Sequence, residues 1–179
     1  CVAGVVAPGQ WVPRPEGQPG GKHGFDGAGR FEKLGIDNVL LPQGERIEFA
    51  RRRDLAAGGK AFAEGAQAKA AKLGWAISDT AIAQVNAHFA MLAKQTANET
   101  ELAPHAMLVV DELGHLELLH SCGLTNALAI LDAGPTPQFP HAIAVVRETL
   151  LDEARRRFEP RWGKATVIGP DDAARNLVL

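Results

Sequence analysis

In residues 109–117, VVDELGHLE, an aliphatic run meets a pair of adjacent acids. Met107, Leu108, Val109 and Val110 lead into Asp111 and Glu112, and Gly114 and a third acid, Glu117, follow. Carboxylates at the tip of a buried strand have a defined chemical use. An Asp there can hold Mg²⁺, usually through water, beside nucleotide phosphates. An adjacent Glu can orient or deprotonate an attacking water. The strand must be buried to fix these groups, and its tip must be open to admit a nucleotide. Gly114 would let the backbone turn sharply just past the acids. Taken alone, four aliphatic residues followed by two acids is a short pattern, and acids at strand ends often only face solvent.

The surrounding elements decide whether such a tip exists. Residues 2–7 (VAGVVA) form a β-branched run closed by Pro8-Gly9, which predicts a buried strand and a turn. Residues 12–30 are rich in Gly and Pro and predict a loop. Residues 38–41 and 46–49 flank Pro42-Gln43-Gly44-Glu45 and predict a hairpin. Residues 54–74 hold much Ala, Gly and Lys with weak periodicity, a loop or a poorly packed helix. A helix opens at Ser78-Asp79, either of which can cap it. Its apolar face is Ile82, Val85, Phe89 and Leu92.

The strand at 106–110 follows, then a helix at 124–131 stopped by Gly134-Pro135, a strand at 141–146 and a helix at 148–158. A strand at 165–168 and a short helix at 171–176 end the chain. The strands of this half are solid apolar runs, the mark of a parallel sheet covered on both faces. Ligands of such sheets bind beyond the carboxyl ends of the strands. Asp111, Glu112 and Arg147 lie at those ends, on two different strands.

Composition narrows the function classes. A chain of 179 residues is most simply one domain with a sizeable core. With 46% hydrophobic and 22% charged residues and a net charge of −2, it does not hold a polyanion through bulk charge. No apolar run approaches the ~20 residues that span a bilayer, and the start has no basic region and apolar core of a signal peptide. The two cysteines, Cys1 and Cys122, make a disulfide framework improbable and a reducing cytoplasm the expected compartment.

The longer block LVVDELGHLEL resembles the Walker B segment of the nucleoside-triphosphatase family of P-loop proteins first known from thermophiles. In that family a strand ends in Asp-Glu, followed by an aliphatic residue, Gly, two further residues and Glu. Asp111, Glu112, Leu113, Gly114 and Glu117 stand in that spacing. VAGVVAPGQW resembles the family's second strand, and HGFD, at residues 23–26, resembles the segment before its hairpin. LLPQGERIEFARR matches the hairpin, LGWAISDTAIAQVNAHF the helix before Walker B, and HAIAVVRETL the next strand. The similarity spans nearly the whole chain; its one highly specific part is the acidic block.

The resemblance implies an α/β, P-loop NTPase-like three-layer fold: a mostly parallel sheet with helices on both faces and a small antiparallel hairpin. It implies Mg²⁺-dependent hydrolysis of ATP or GTP to the diphosphate and phosphate. Asp111 would sit at the metal, Glu112 on the water, Glu117 beside the loop or the metal's outer shell, and Arg147 near the phosphate charge. A P-loop, G-x-x-x-x-G-K-[ST], is not present in the 179 residues. Pro19-Gly20-Gly21-Lys22-His23, Gly58-Gly59-Lys60-Ala61, Leu73-Gly74-Trp75 and Gly163-Lys164-Ala165-Thr166 all depart from it. The family pattern places it in a first βα unit ahead of residue 1, and the chain begins with Cys rather than Met. The expectation is therefore an N-terminally incomplete NTPase domain, inactive alone and poorly soluble, because a central sheet edge would be bare.

Two other classes share this sequence. One is a binding or accessory module without turnover on the same fold; the other is a kinase passing phosphate to a small acceptor. Further side chains carry weaker signals. His105, His115, His120, Cys122 and His141 lack zinc-ligand spacing and read as ordinary surface or loop residues. Arg51, Arg52 and Arg53 read as a solvated basic run, without the interleaved aromatics of a nucleic-acid site. Trp75 and Phe89 read as core. Trp11 follows a strand and a turn, where it either packs in the core or covers a nucleotide base.

Overall fold

The computed structural model describes residues 1–14, 30–56, 62–71, 74–98 and 106–169. The strands are β1 (Val2–Val6), β2 (Gly9–Pro13), β3 (Phe31–Leu41), β4 (Glu45–Arg52), β5 (Trp75–Ile77), β6 (Met107–Leu113) and β7 (His141–Val146). The helices are α1 (Arg53–Ala56), α2 (Ala66–Ala70), α3 (Asp79–Asn98), α4 (His115–Leu118), α5 (Thr125–Ala133) and α6 (Leu151–Trp162), the last preceded by a 3-10 turn at Glu148–Leu150. The strands make one mixed sheet in the order β5-β4-β3-β1-β6-β7, with β2 also paired to β3. Strands β1, β6 and β7 run parallel, while β1-β3, β2-β3, β3-β4 and β4-β5 are antiparallel.

The predicted hairpin is present as β3 and β4, but the antiparallel half is larger than a hairpin. β2 joins it from the stretch expected to open a loop. Trp11 and Val12 are strand formers, and Pro13 is tolerated because β2 pairs with β3 alone. β5 has only three residues, too few to show a period. Buried Asp37 of β3 ties this half together, accepting from Gln10 Nε2 of β2 and Arg46 Nη1 of β4, both at 2.6 Å.

Helix α3 follows its sequence pattern. Ile82, Val85, Phe89 and Leu92 are all buried. Ser78 caps it: the Ala81 amide donates to Ser78 Oγ at 3.3 Å. Asp79, the other candidate cap, turns back to accept from the Ala66 amide at 2.7 Å. α3 packs on β1, β3 and β4 and on α5, and α5 packs on α6. This covers one face of the parallel strands, where Ala3, Val5, Leu108 and Val110 are buried.

The opposite face departs from expectation. By register, Val2, Met107, Ile143 and Val145 share it. Ile143 is 43% exposed and Val145 45%, on the strand that ends the sheet order. A continuous apolar run shows that both sides of a strand are apolar, and it does not supply a second layer to cover them. The apolar run 165–168 is exposed and forms no sheet strand, and Val167 and Ile168 face solvent. Residues 171–176, 23–26 and most of the near-matches to a P-loop lie outside the described residues. Among the described residues, no helix is long and apolar enough to cross a membrane.

Candidate active site at the carboxyl ends of β1 and β6

Strands β1 and β6 are parallel neighbours, paired from Val2 opposite Met107 to Val5 opposite Val110. After Val6 the chain runs on without the turn expected at Pro8-Gly9: β2 keeps the register of β1 along β3, with Val6 opposite Val39 and Gly9 opposite Ile36. After Leu113 it passes through α4 and α5 to β7 on the other side. The carboxyl ends of parallel strands are the usual place for a ligand in such sheets.

Asp111 and Glu112 stand at this end of the sheet, inside β6 rather than just past it. Between Val110 and Leu113 the strand advances three residues while β7 advances two, from Ala144 to Val146. The extra residue is a β-bulge, and bulges re-aim side chains. Asp111 is pinned to the neighbouring strand: the Ala7 amide donates to its Oδ2 at 2.8 Å. Glu112 has φ 65°, the left-handed region that a non-glycine residue occupies only at a cost of about 1–3 kcal/mol. The sharp turn expected of Gly114 is made at Glu112 instead, since Gly114 has an extended φ of −119°.

A lysine that the sequence did not mark completes the acid pair. Lys33 of β3 places Nζ 3.7 Å from Glu112 Oε1, with side chains 17% and 38% exposed. The same ammonium lies 5.8 Å from the ring centre of Trp11 and 5.9 Å from that of Trp75, within cation–π range. Lys33 has no periodic or motif signal, because it reaches Glu112 only through the β2-β3-β1-β6 arrangement. Trp11 is exposed at 44%, so it is not a core residue. Trp75 is partly buried against the core.

Glu117 is placed differently from Asp111 and Glu112. It is buried, and both its oxygens are used by the backbone: Oε2 accepts from the Gly114 amide at 2.9 Å and Oε1 from the Leu124 amide at 3.0 Å. It brackets the segment between β6 and α5 and so acts as a positioning residue. Burial pushes its carboxyl above the ordinary range, partly offset by those two amides, with the nearby Glu112 charge adding to the rise. Arg147 follows β7 directly and is exposed, at the same end of the sheet as the acids because Val146 is in register with Leu113. Among the described residues its guanidinium makes no ion pair.

Among the described residues, no three His, Cys, Asp or Glu side chains converge as a metal-ligand group. His141 opens β7, at the sheet end away from Asp111, and His105 lies outside the described residues. A Mg²⁺ ion needs no such group, since one or two carboxylates plus substrate phosphates and water suffice. Asp111, a hard oxygen donor with one oxygen already fixed, suits that demand. Comparison with family models, curated proteins and solved structures found no match to this chain.

Proposed function

We propose that the chain binds a magnesium–nucleoside triphosphate at the carboxyl ends of β1 and β6 and belongs to a nucleoside-triphosphate hydrolase. The observation that carries this reading is the acid pair in the bulge, with Asp111 fixed by the Ala7 amide and Glu112 held in a costly backbone conformation beside Lys33. Strain of this kind persists where the surrounding structure imposes it, and it clusters at functional sites.

Asp111 would hold the ion, which would neutralise charge on the β- and γ-phosphate oxygens. Glu112 accepts a proton from a water as that water's oxygen attacks the γ-phosphorus. The bond from the γ-phosphorus to the bridging oxygen breaks, and the diphosphate leaves with the electron pair. Lys33 would keep Glu112 oriented, and Arg147, at the same end of the sheet, would meet γ-phosphate charge. The phosphate-cradling loop that completes such a site is not encoded in these 179 residues.

Calorimetric titration with MgATP and MgGTP tests binding. Asp111→Asn should weaken it, and Glu112→Gln should spare it. With a strand–P-loop–helix segment supplied ahead of residue 1, hydrolysis should appear and should vanish in Glu112→Gln. If no nucleotide binds in either form, the reading is wrong. A second reading, a binding module without turnover, is favoured by the exposed face of Val2, Met107, Ile143 and Val145. It expects no nucleotide binding even with the added segment.

A further inference from the structure

Trp11 is a large aromatic ring left 44% exposed on a strand that pairs with β3 alone. Its position is nevertheless fixed. Lys33 lies over the ring, and Gly9 leaves the room the indole needs, since a Cβ there would sit 2.5 Å from Trp11 Nε1 and 2.7 Å from Lys33 Cε. Lys33 in turn spans from Trp11 to Glu112. Thus the aromatic face of Trp11, the Lys33 ammonium and the Glu112 carboxylate form one connected line, with Asp111 next to Glu112 in the bulge.

A fixed aromatic ring with an open face is what stacking on a nucleobase requires. We infer that Trp11 is the base platform of this site: it takes a purine ring on its exposed face while the phosphates lie toward Asp111 and Glu112. The inference rests on the nucleotide reading above and adds the base subsite to it. Stacking reads the π-face of a base and not its hydrogen-bonding edge, so ATP and GTP should bind with similar affinity. Lys33 has two roles here, holding the ring from one side and presenting positive charge along the path to the phosphates.

The indole N–H resonances of the three tryptophans provide the test. Trp162 is an internal reference, because it ends α6 and its Nε1 donates to the Leu131 carbonyl of α5 at 2.6 Å. Trp11→Phe assigns the Trp11 signal by its loss. Titration with MgATP should move that signal and leave Trp162 in place. Trp11→Ala should weaken MgATP binding about 5- to 100-fold, and Trp11→Phe should recover most of the loss. Magnesium tripolyphosphate, which has no base, should bind the Ala variant as well as the parent chain.

If the Ala variant binds both ligands like the parent, the base platform is overturned and the phosphate site stands. If neither ligand binds the parent chain with or without the added strand–P-loop–helix segment, both readings fall. An unshifted Trp162 signal in each variant shows that the fold is retained.

Discussion

Glu112 joins a proposed catalytic role to a strained backbone. Its φ of 65° is natural for glycine and costly for a side chain. Glu112→Gly should therefore stabilise the fold. Relief of about 1–3 kcal/mol of strain outweighs the ~0.4–1 kcal/mol lost to a more flexible unfolded chain. A net gain of about 1 kcal/mol raises the melting temperature by roughly 2–4 °C in a chain of this size. Thermal unfolding followed by circular dichroism measures it, and a lowered midpoint would mean that the Lys33 contact contributes more than the backbone costs. The acid was visible in the sequence because carboxylates after an aliphatic run form a pattern. The strain was not, because it arises from an unequal step of β6 against β7. Glu117 shows the same limit: its spacing marked it, but only the fold shows both its oxygens on backbone amides.

At the scale of elements, α3 and β1 meet through a buried polar contact. His88 of α3 places Nε2 3.1 Å from the Gly4 carbonyl and is buried. Gly4 itself has φ 119°, and a Cβ there would lie 2.0 Å from the Val109 carbonyl oxygen, so β1 and β6 approach closely only because the residue is glycine. Burial lowers the His88 pKa below its ordinary 6.5, opposed by hydrogen bonds to the Gly4 and Leu41 backbone and by the Glu45 charge.

The unfolded chain therefore binds a proton near pH 6.5 that the folded chain refuses. Stability from this group is complete above 6.5 and falls as pH drops from 6.5 toward the lower folded value. Glu117 acts in the opposite sense: its raised pKa favours the fold at low pH and costs stability as pH rises above 4.5. Denaturant titrations of the parent and of His88→Gln between pH 5 and 8 should separate the two. The gap between the curves should narrow in the variant's favour below 6.5, and parallel curves would show that His88 does not titrate as described. The stripe of α3 was legible because 3.6-residue periodicity is local, whereas the target of His88 is 84 residues away.

Among the described residues of the whole molecule, α3 packs on the mixed sheet, α5 on α3 and α6 on α5, while the outer parallel strand is exposed on its far face. Ile143 and Val145 stand about half exposed on β7, which has a free edge among the described residues. Such an edge is a template for pairing with another chain. The chain should self-associate as its concentration rises, and Ile143→Lys with Val145→Lys should suppress this while altering unfolding free energy by no more than ~0.5 kcal/mol per site. Sedimentation velocity at several concentrations checks it. A parent chain that stays monomeric throughout would remove the evidence that this face needs a cover.

Local chemistry in the sequence was enough to establish the α/β class, the α3 stripe, the β3-β4 hairpin, the parallel apolar strands and the acid pair. Each depends on neighbours within a few residues, through periodicity, turn residues or an aliphatic run closed by charge. The register decided the rest. It drew β2 and β5 into the antiparallel half, put Asp111 and Glu112 inside a bulge, and brought Lys33 to Glu112 between Trp11 and Trp75. These contacts join residues that are far apart along the chain, and strand pairing has no local signature that names its partner.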